Sequence, residues 1–299
     1  MHIKTFRGLN NVTDPLRLGM GWLVTADNVN ITDTGAIEKR DGYVLAKLGA
    51  FASVYATKDF ARMYMATASQ IVTFDGTVVV ALAAAAPMFW TEVNGNVYFN
   101  NGTDSGVIAP DNSVAPWRDA PVSEGVGFIG DDGKVQDILL GTLPLGTDVI
   151  QFWGGRMFAA QYFPSENQTA VWMSEPMGFH LFNLDSGFFL LPGRVRMLAP
   201  HDKALIVGTD SHIYAYDGQK LETLADYGVV PGQHWSEDSG QTFFWTVRGV
   251  CSALPFKNLT ENQISVAPGI RAGGCIVHSG GQRRYLAAIQ QGGSPYNAF

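Results

Sequence analysis

The sequence predicts an all-β protein, a β-propeller of five or six small antiparallel blades preceded by an extended N-terminal strap. Composition is the first indication, because 34 of the 299 residues are glycine, 12% are aromatic and 16% are charged. The charged share lies well below the usual value of about 25%. A disordered chain would be rich in charge and poor in aromatic residues. Abundant glycine and aromatic residues with little charge favour strands joined by tight turns.

A repeated hairpin signature is the second indication. Residues 66–82 and 208–224 align without gaps, so that Asp75-Gly76 and Asp217-Gly218 occupy equivalent places 142 residues apart. A third, shorter copy ends at Asn101-Gly102. Such dipeptides supply the positive φ angles of type I′ turns between antiparallel strands. Each copy therefore predicts a strand, a turn and a second strand.

The spacing of the β-rich units is the third indication. Further strand or hairpin patterns occur at 149–160, 168–174, 242–254 and 275–289. The offset between the two hairpin copies equals about three blade lengths of 40–47 residues, which places the copies on non-adjacent blades. Strands buried on both faces read as apolar runs rather than alternating patterns, as seen here. A β-sandwich or barrel is the alternative architecture.

Residues 1–45 differ from the rest, being polar, rich in Asn and Thr, and without a meander. We expect this strap to be one unit and residues 46–299 to form the propeller domain. Spaced apolar side chains would anchor the strap, Asn amides would bind exposed main chain, and an arginine would pin its end. The strap is predicted to contact the propeller and either a neighbouring subunit or another tail protein; the alternative is a strap lying only on its own propeller. The predicted contact residues are Phe6, Leu9, Asn10, Asn28, Arg40 and Gly42.

Composition and motifs argue against several functions. A net charge of −7 disfavours an electrostatic grip on DNA. Cys251 and Cys275 cannot build a disulfide scaffold or a four-thiolate zinc site, and we expect two buried free thiols. The six histidines are scattered, and no nucleophile elbow or phosphate-binding loop occurs. We therefore expect no enzyme, no metal and no cofactor. Residues 1–25 also lack the apolar core of a signal peptide.

The strap carries motifs of a known family. It reads Phe-Arg-Gly-Leu-Asn-Asn from Phe6, Asp-Pro-Leu from Asp14, and then Ala-Asp-Asn-Val, Gly-Ala-Ile and Arg-Asp-Gly within 26–42. A second stretch, at 155–214, holds an arginine–apolar–phenylalanine strand, a strand ending in Ser, a Phe-rich turn and an Ile-Tyr strand. These motifs cover about half of the chain. They resemble virion proteins of tailed bacteriophages, of the tail nozzle and packaged-DNA-stabilising type.

The resemblance implies a structural protein of the phage tail. Such a protein would form a ring-shaped connector, nozzle or tail-tip platform through which DNA passes during ejection and to which other tail or connector proteins dock. It would assemble with itself, as a hexamer or a trimer, contact DNA only as a non-specific passage, and have no membrane anchor. It would be made in the host cytoplasm and reside in the virion. The chain is shorter than the usual nozzle protein, which leaves its position within the tail open.

Two other classes of function are open. One is a carbohydrate-binding or glycosidase propeller that recognises host surface polysaccharide, which requires carboxylates and aromatic rings in one pocket. The other is an intracellular adaptor propeller. The available carboxylates are Glu166, Glu175, Asp185 and Asp210. The aromatic candidates are Trp153, Trp172, Phe179, Phe182, Phe243, Phe244 and Trp245.

Overall fold

The computed structural model describes residues 5–32, 34–40, 42, 44–118, 127–129, 135–137, 140–279, 282–292 and 297–298. Within these ranges the secondary structure consists of 31 strands and no helix. Accordingly, the described part of the chain has no helix that could cross a membrane. The expectation of an all-β protein is confirmed.

The strap forms two small pairs of strands. The first pair is parallel and the second is an antiparallel hairpin. Gly35, which adopts a φ of +79° in the hairpin turn, also lies against the strap's beginning, since a Cβ there would come within 2.9 Å of the Phe6 carbonyl oxygen. Only glycine meets both demands. The four strands are β1 (Gly8–Leu9), β2 (Trp22–Leu23), β3 (Val29–Ile31) and β4 (Ile37–Lys39).

The next two sheets each contain four antiparallel strands in sequence order. Sheet 1 comprises β5 (Ser53–Ala56), β6 (Met63–Ala66), β7 (Gln70–Thr73) and β8 (Val78–Ala81). Sheet 2 comprises β9 (Phe89–Val93), β10 (Asn96–Asn100), β11 (Ser105–Ile108) and β12 (Val114–Ala115). A separate hairpin of β13 (Gly127–Ile129) and β14 (Val135–Asp137) follows.

Sheet 3 is the largest, with six strands. Its strand β18 is shared, because one end pairs with β19 and the other with β20. Because β19 and β20 pair with different ends of β18, the sheet widens beyond that strand. Its members are β15 (Leu140–Gly141), β16 (Thr147–Trp153), β17 (Arg156–Phe163), β18 (Gln168–Glu175), β19 (Gly178–Asn183) and β20 (Phe188–Pro192).

Three further antiparallel sheets complete the described chain, two with four strands and the last with three. Sheet 4 comprises β21 (Val195–His201), β22 (Ala204–Thr209), β23 (Ile213–Tyr216) and β24 (Leu221–Ala225). Sheet 5 comprises β25 (Ser236–Asp238), β26 (Gln241–Thr246), β27 (Gly249–Ser252) and β28 (Lys257–Asn258). Sheet 6 comprises β29 (Arg271–Ser279), β30 (Gln282–Gln290) and β31 (Asn297–Ala298).

The predicted hairpins occur in sheets 1 and 4, but their turn type differs from expectation. Gly76 and Gly218 have φ angles of 97° and 103°, whereas the aspartates before them do not enter the positive-φ region. Type I′ turns require both residues there, so that prediction is wrong at these two sites. Instead each aspartate carboxylate accepts main-chain N–H groups of the turn, which stabilises a wider loop. Paired positive-φ residues occur at Asn94-Gly95, Gly154-Gly155 and Ser239-Gly240.

The core lies between the sheets. Every residue of β22 and β23 is buried, which explains why these strands read as apolar runs. Edge strands of neighbouring sheets lie next to one another: β9 contacts β16, β16 contacts β21, and β21 contacts β25. One continuous apolar cluster therefore joins sheets 2 to 5, and a second joins sheets 1 and 2.

Candidate functional site

A cavity of about 510 Å³ lies where one edge strand from each of sheets 1 to 5 approaches the others. Its wall is built by β5, β9, β16, β21 and β25 and by the residues next to them. Because five sheets each contribute an edge strand here, side chains far apart in sequence converge. The principal lining side chains are Tyr55, Lys58, Trp90, Glu92, Gln151, Phe152, Trp153, His201, Asp202, Gln233, Trp235 and Glu237.

Hydrogen bonds and ring stacking hold the aromatic side of the cavity in place. The Gln233 side chain accepts from the Trp90 main-chain N–H and donates to its carbonyl oxygen, both at 3.0 Å. The Tyr55 ring stacks on Trp90 with centroids 5.7 Å apart. The Trp153 indole donates to the carbonyl oxygen of His201 at 2.7 Å. The rings that face the cavity are thus positioned before any ligand arrives.

The cavity contains three carboxylates and one lysine, which are Glu92, Asp202, Glu237 and Lys58. Glu92 is oriented by the main-chain N–H of Lys58, which donates to its Oε2 at 2.8 Å. Burial raises the pKa of the Tyr55 hydroxyl far above its ordinary value, and the Glu92 charge raises it further. Tyr55 therefore keeps its proton and can act as a hydrogen-bond donor.

Two ring nitrogen atoms of the wall lack a hydrogen-bond partner among the described residues. His201 is 4% exposed, and its buried Nε2 is unpaired. Its Nδ1 accepts the main-chain N–H of Lys203 at 3.1 Å, so the proton of the neutral ring belongs on Nε2. Trp235 is 8% exposed; its indole N–H donates to no described group and is not one of the fully buried unpaired atoms. A donor without an acceptor is costly where water is scarce, so the His201 N–H marks a place where an acceptor would be stabilised, whereas water or a ligand can reach the Trp235 N–H.

The carboxylates singled out from the sequence are not brought into a cavity. Glu166 lies in the turn after β17, Glu175 at the end of β18, Asp185 after β19, and Asp210 after β22. None of the four lines the central cavity or either of two other cavities of the described chain. Among the aromatic candidates, Trp153 reaches the central cavity.

Sequence reasoning missed the carboxylates that do converge. Glu92 lies in β9, Asp202 directly follows β21, and Glu237 lies in β25. A signal was present, because each belongs to the first strand of a sheet or the turn after it. This pattern of positions can be recognised only when the strand and sheet boundaries are known.

The strap lies across the C-terminal sheets of its own chain. The Asn11 amide exchanges hydrogen bonds with the Ser265 main chain, donating at 3.0 Å and accepting at 2.7 Å. The Asn11 N–H also donates to the Gln263 carbonyl oxygen at 3.0 Å. Further along, Glu38 approaches Arg284 of β30 at 3.8 Å. These contacts join the strap to the segment after sheet 5 and to sheet 6.

The predicted strap residues occupy different environments. Asn10 is buried, and its Oδ1 accepts the N–H groups of the two residues that follow Asn11. Arg40 donates to the Asn28 side chain at 3.2 Å, which joins the two ends of the β3–β4 hairpin. Phe6 and Leu9 are half-buried. Gly42 is exposed, and a Cβ at this position would meet no atom within 4 Å.

Large apolar side chains remain exposed along the strap and the residues just after it. Leu16, Val44 and Leu48 are 95%, 92% and 85% exposed, respectively. We call the set the apolar row. Its members are Val12, Leu16, Met20, Val24, Ile37, Val44, Leu45 and Leu48.

The described residues contain no cluster of metal-binding side chains, and their two cysteines form no disulfide. No group of three or more histidine, cysteine, aspartate or glutamate side chains is placed to hold an ion in that part of the chain. Both cysteines are free; Cys251 is buried as expected, whereas Cys275 is exposed because it lies on β29, at the open side of sheet 6. The expectation that both thiols are buried is wrong for Cys275.

Comparison with known proteins finds solved structures of similar fold but does not assign this chain to a family. No protein-family model matches the chain, and no curated protein matches its sequence. Among solved structures, PorZ, a surface component of the type-IX secretion system of Porphyromonas gingivalis, is 12% identical over 92% of this chain, with a TM-score of 0.47. This chain spans only 36% of the PorZ chain.

Two smaller domains are also similar. The CNH domain of AfRom2 is 10% identical, with 82% of this chain and 92% of that domain covered and a TM-score of 0.44. The WD40 β-propeller domain of Doa1 is 11% identical, with 76% and 86% covered and a TM-score of 0.39. Likeness of this degree assigns no function.

Proposed function

We propose that the protein is a structural component of a bacteriophage tail, a β-propeller that assembles with copies of itself into a ring and docks other tail or connector proteins. The apolar row of the strap is the observation that carries the proposal. The family resemblance of the strap motifs and the low share of charged residues agree with it, since charged side chains are depleted from the cores of interfaces.

The apolar row brings several large exposed apolar side chains into one stretch of sequence. Scattered exposed apolar residues are normal, but large apolar surface concentrated on one region marks an interaction site. Leu16, Val44 and Leu48 are almost fully exposed although they lie within about thirty residues of one another in sequence. A neighbouring copy that covers this row would remove its surface from water, at about 25 cal/mol per Å². The occupant we infer is a second copy of the same chain, in a hexamer or a trimer.

The propeller is inferred from the order of the sheets. Sheets 1 to 6 follow one another along the chain, and one edge strand from each of sheets 1 to 5 lines a single cavity. We infer six blades, which lies within the expected five or six. The hydrogen bonds between Gln233 and Trp90 connect sheet 2 to the segment before sheet 5 at the wall of this cavity. DNA would therefore pass through the centre of the ring of copies and not through one propeller.

The net charge of −7 suits such a passage, because a mildly acidic wall lets DNA slide without binding it. The proposed role needs no catalytic step and no cofactor. It places the protein in the virion tail.

Surface substitutions in the apolar row test this role without disturbing the core. The variants Leu16→Asp and Leu48→Asp each place a charge on a side chain that is more than four-fifths exposed. Leu145→Asp is the matched control, since Leu145 is 73% exposed outside the row. The readouts are light scattering after size exclusion and electron microscopy of the purified protein.

We expect rings with a lumen for the unaltered protein and for Leu145→Asp, and smaller species for the two row variants. A monomer at all concentrations would contradict the proposal. Rings that persist in both row variants would show that the row is not the interface.

A further inference from the structure

We propose that the central cavity is a binding site for one unit of a neutral saccharide. This inference is independent of the assembly role, because it rests on the cavity of a single chain and not on the strap. It also differs from the carboxylates considered at the sequence level, none of which reaches the cavity.

The size of the cavity is appropriate. Its volume of about 510 Å³ lies within the range of about 300–1,000 Å³ that is typical of small-molecule sites. The wall combines apolar ring surface with a few fixed polar groups, as such sites generally do. Tyr55, Phe152 and Trp153 are half-buried, so part of each ring remains accessible. An aromatic ring offers an apolar face to the C–H groups of a pyranose.

The polar groups decide the chemistry of the ligand. The N–H groups of His201 and Trp235 lack an acceptor among the described residues, whereas the carboxylates of Glu92 and Glu237 can accept further hydrogen bonds. A hydroxyl group both donates and accepts hydrogen bonds. A polyhydroxylated molecule can therefore bind the N–H groups and the carboxylates together. A cation could satisfy only the carboxylates.

Electrostatics disfavour an anionic ligand. Glu92, Asp202 and Glu237 face one ammonium group, that of Lys58, around the same cavity. A phosphate or an acidic sugar would meet net negative charge, and like charges close together are unfavourable in a poorly solvated site. A neutral sugar avoids this repulsion and can still exchange hydrogen bonds with polar groups of the wall.

Two substitutions separate the proposed contacts from folding. Trp235→Phe keeps an aromatic ring and removes the unpaired N–H; its matched control is Trp172→Phe, since the Trp172 indole donates to Gln161 outside the cavity. Glu237→Gln removes one charge at the exposed side of the cavity; its matched control is Glu222→Gln on exposed surface of β24. Thermal melting followed by circular dichroism checks that all four variants fold.

The probes are methyl α-D-glucopyranoside, methyl β-D-galactopyranoside and N-acetyl-D-glucosamine, with tetramethylammonium chloride as the cation. Saturation-transfer difference NMR detects binding to the full chain, and titration gives Kd. We expect at least one sugar to bind, with Kd raised about five- to tenfold in Trp235→Phe and in Glu237→Gln, the effect of losing one hydrogen bond. The two controls should bind as the unaltered protein does.

The proposal is overturned if none of the three sugars binds, or if only tetramethylammonium binds, which would indicate an aromatic cation site. Sugar binding that is unchanged in both cavity variants would place the sugar elsewhere and would also overturn it. Loss of sugar binding leaves ring assembly untouched, so failure here is distinguishable from failure of the tail role.

Discussion

The side-chain amide of Gln233 pairs with the main chain of Trp90, 143 residues earlier in the sequence, through two hydrogen bonds of 3.0 Å. An amide side chain can satisfy both main-chain groups of one residue because its carbonyl and NH₂ groups lie side by side. The pair ties β9 of sheet 2 to the segment that leads into sheet 5. It also forms part of the wall of the central cavity.

Replacing Gln233 with leucine should destabilise the protein by about 1–3 kcal/mol, since the N–H and C=O of the almost fully buried Trp90 lose their partner. Gln219→Leu is the control, because Gln219 is exposed in the turn before β24. Urea unfolding followed by tryptophan fluorescence measures the difference. Equal midpoints for the two variants would mean that the pair contributes nothing to stability.

His234 predicts an acid-sensitive stability. Its imidazole is buried, donates through Nε2 to the Val230 carbonyl oxygen at 2.7 Å, and accepts the Trp245 N–H through Nδ1 at 3.0 Å. Burial lowers the pKa of His234 from 6.5 to about 4, with the hydrogen bond to Val230 acting weakly in the opposite direction. The native state therefore holds the neutral ring, whereas the unfolded state becomes protonated below pH 6.5.

The free energy of unfolding should be unaffected by this group above about pH 6.5 and should fall as the pH drops from there through 4, by about 1.4 kcal/mol per pH unit. NMR titration of the His234 ring gives its pKa directly, and urea unfolding between these pH values gives the stability. The exposed His278 serves as the internal control. A ring that titrates near 6.5 in the folded protein would contradict the expectation.

Gly218 should tolerate asparagine better than valine. Its φ of 103° is unfavourable for a side chain, and more so for a β-branched one, while a Cβ at this position would lie 4.0 Å from its nearest neighbouring atom. The loss is therefore conformational and not steric, about 1 kcal/mol or more for Gly218→Val. Thermal melting of the valine and asparagine variants measures it. Equal melting temperatures would show that the turn adjusts its backbone.

Two turns show how much of the fold can be predicted from the sequence. The dipeptides Asp75-Gly76 and Asp217-Gly218 locate two hairpins correctly, because a positive φ has a local chemical signature. The predicted turn type is wrong, since the hydrogen bonds of the aspartate carboxylate compete with the tighter turn. The unbroken apolar run of β22 also predicts correctly that both faces of this strand are buried.

The cavity could not be predicted in the same way. Glu92, His201 and Glu237 are brought together by the packing of three different sheets, and no local pattern records that approach. His201 carries no sign in the sequence that its Nε2 will lack a partner. The way the strap attaches is easier to predict from the sequence. An Asn-rich, polar segment without apolar periodicity indicates that side-chain amides will bind main-chain groups. Asn11, which binds the Ser265 main chain, follows this logic.

The attachment of the strap to its own chain yields the last prediction. Asn11 forms three hydrogen bonds with residues 263–265, two of which use its side chain. Asn11→Ala removes those two, each worth about 0.5–1.5 kcal/mol, and leaves the main-chain bond. Asn28→Gly is the control, because the Asn28 amide oxygen accepts from Arg40 within the strap and its φ of 54° suits glycine.

We expect hydrogen exchange, measured by mass spectrometry, to rise in peptides from residues 5–24 and 259–266 in Asn11→Ala, while peptides from β21–β23 keep their protection. Selective exchange of this kind reports local opening, since the core strands exchange only through global unfolding. Asn28→Gly should leave the peptides from residues 259–266 unchanged. Identical exchange of the strap in the two variants would show that the contact with Ser265 does not hold it. If exchange rose equally in β21–β23, the strap would be part of the cooperative core and not an attached segment.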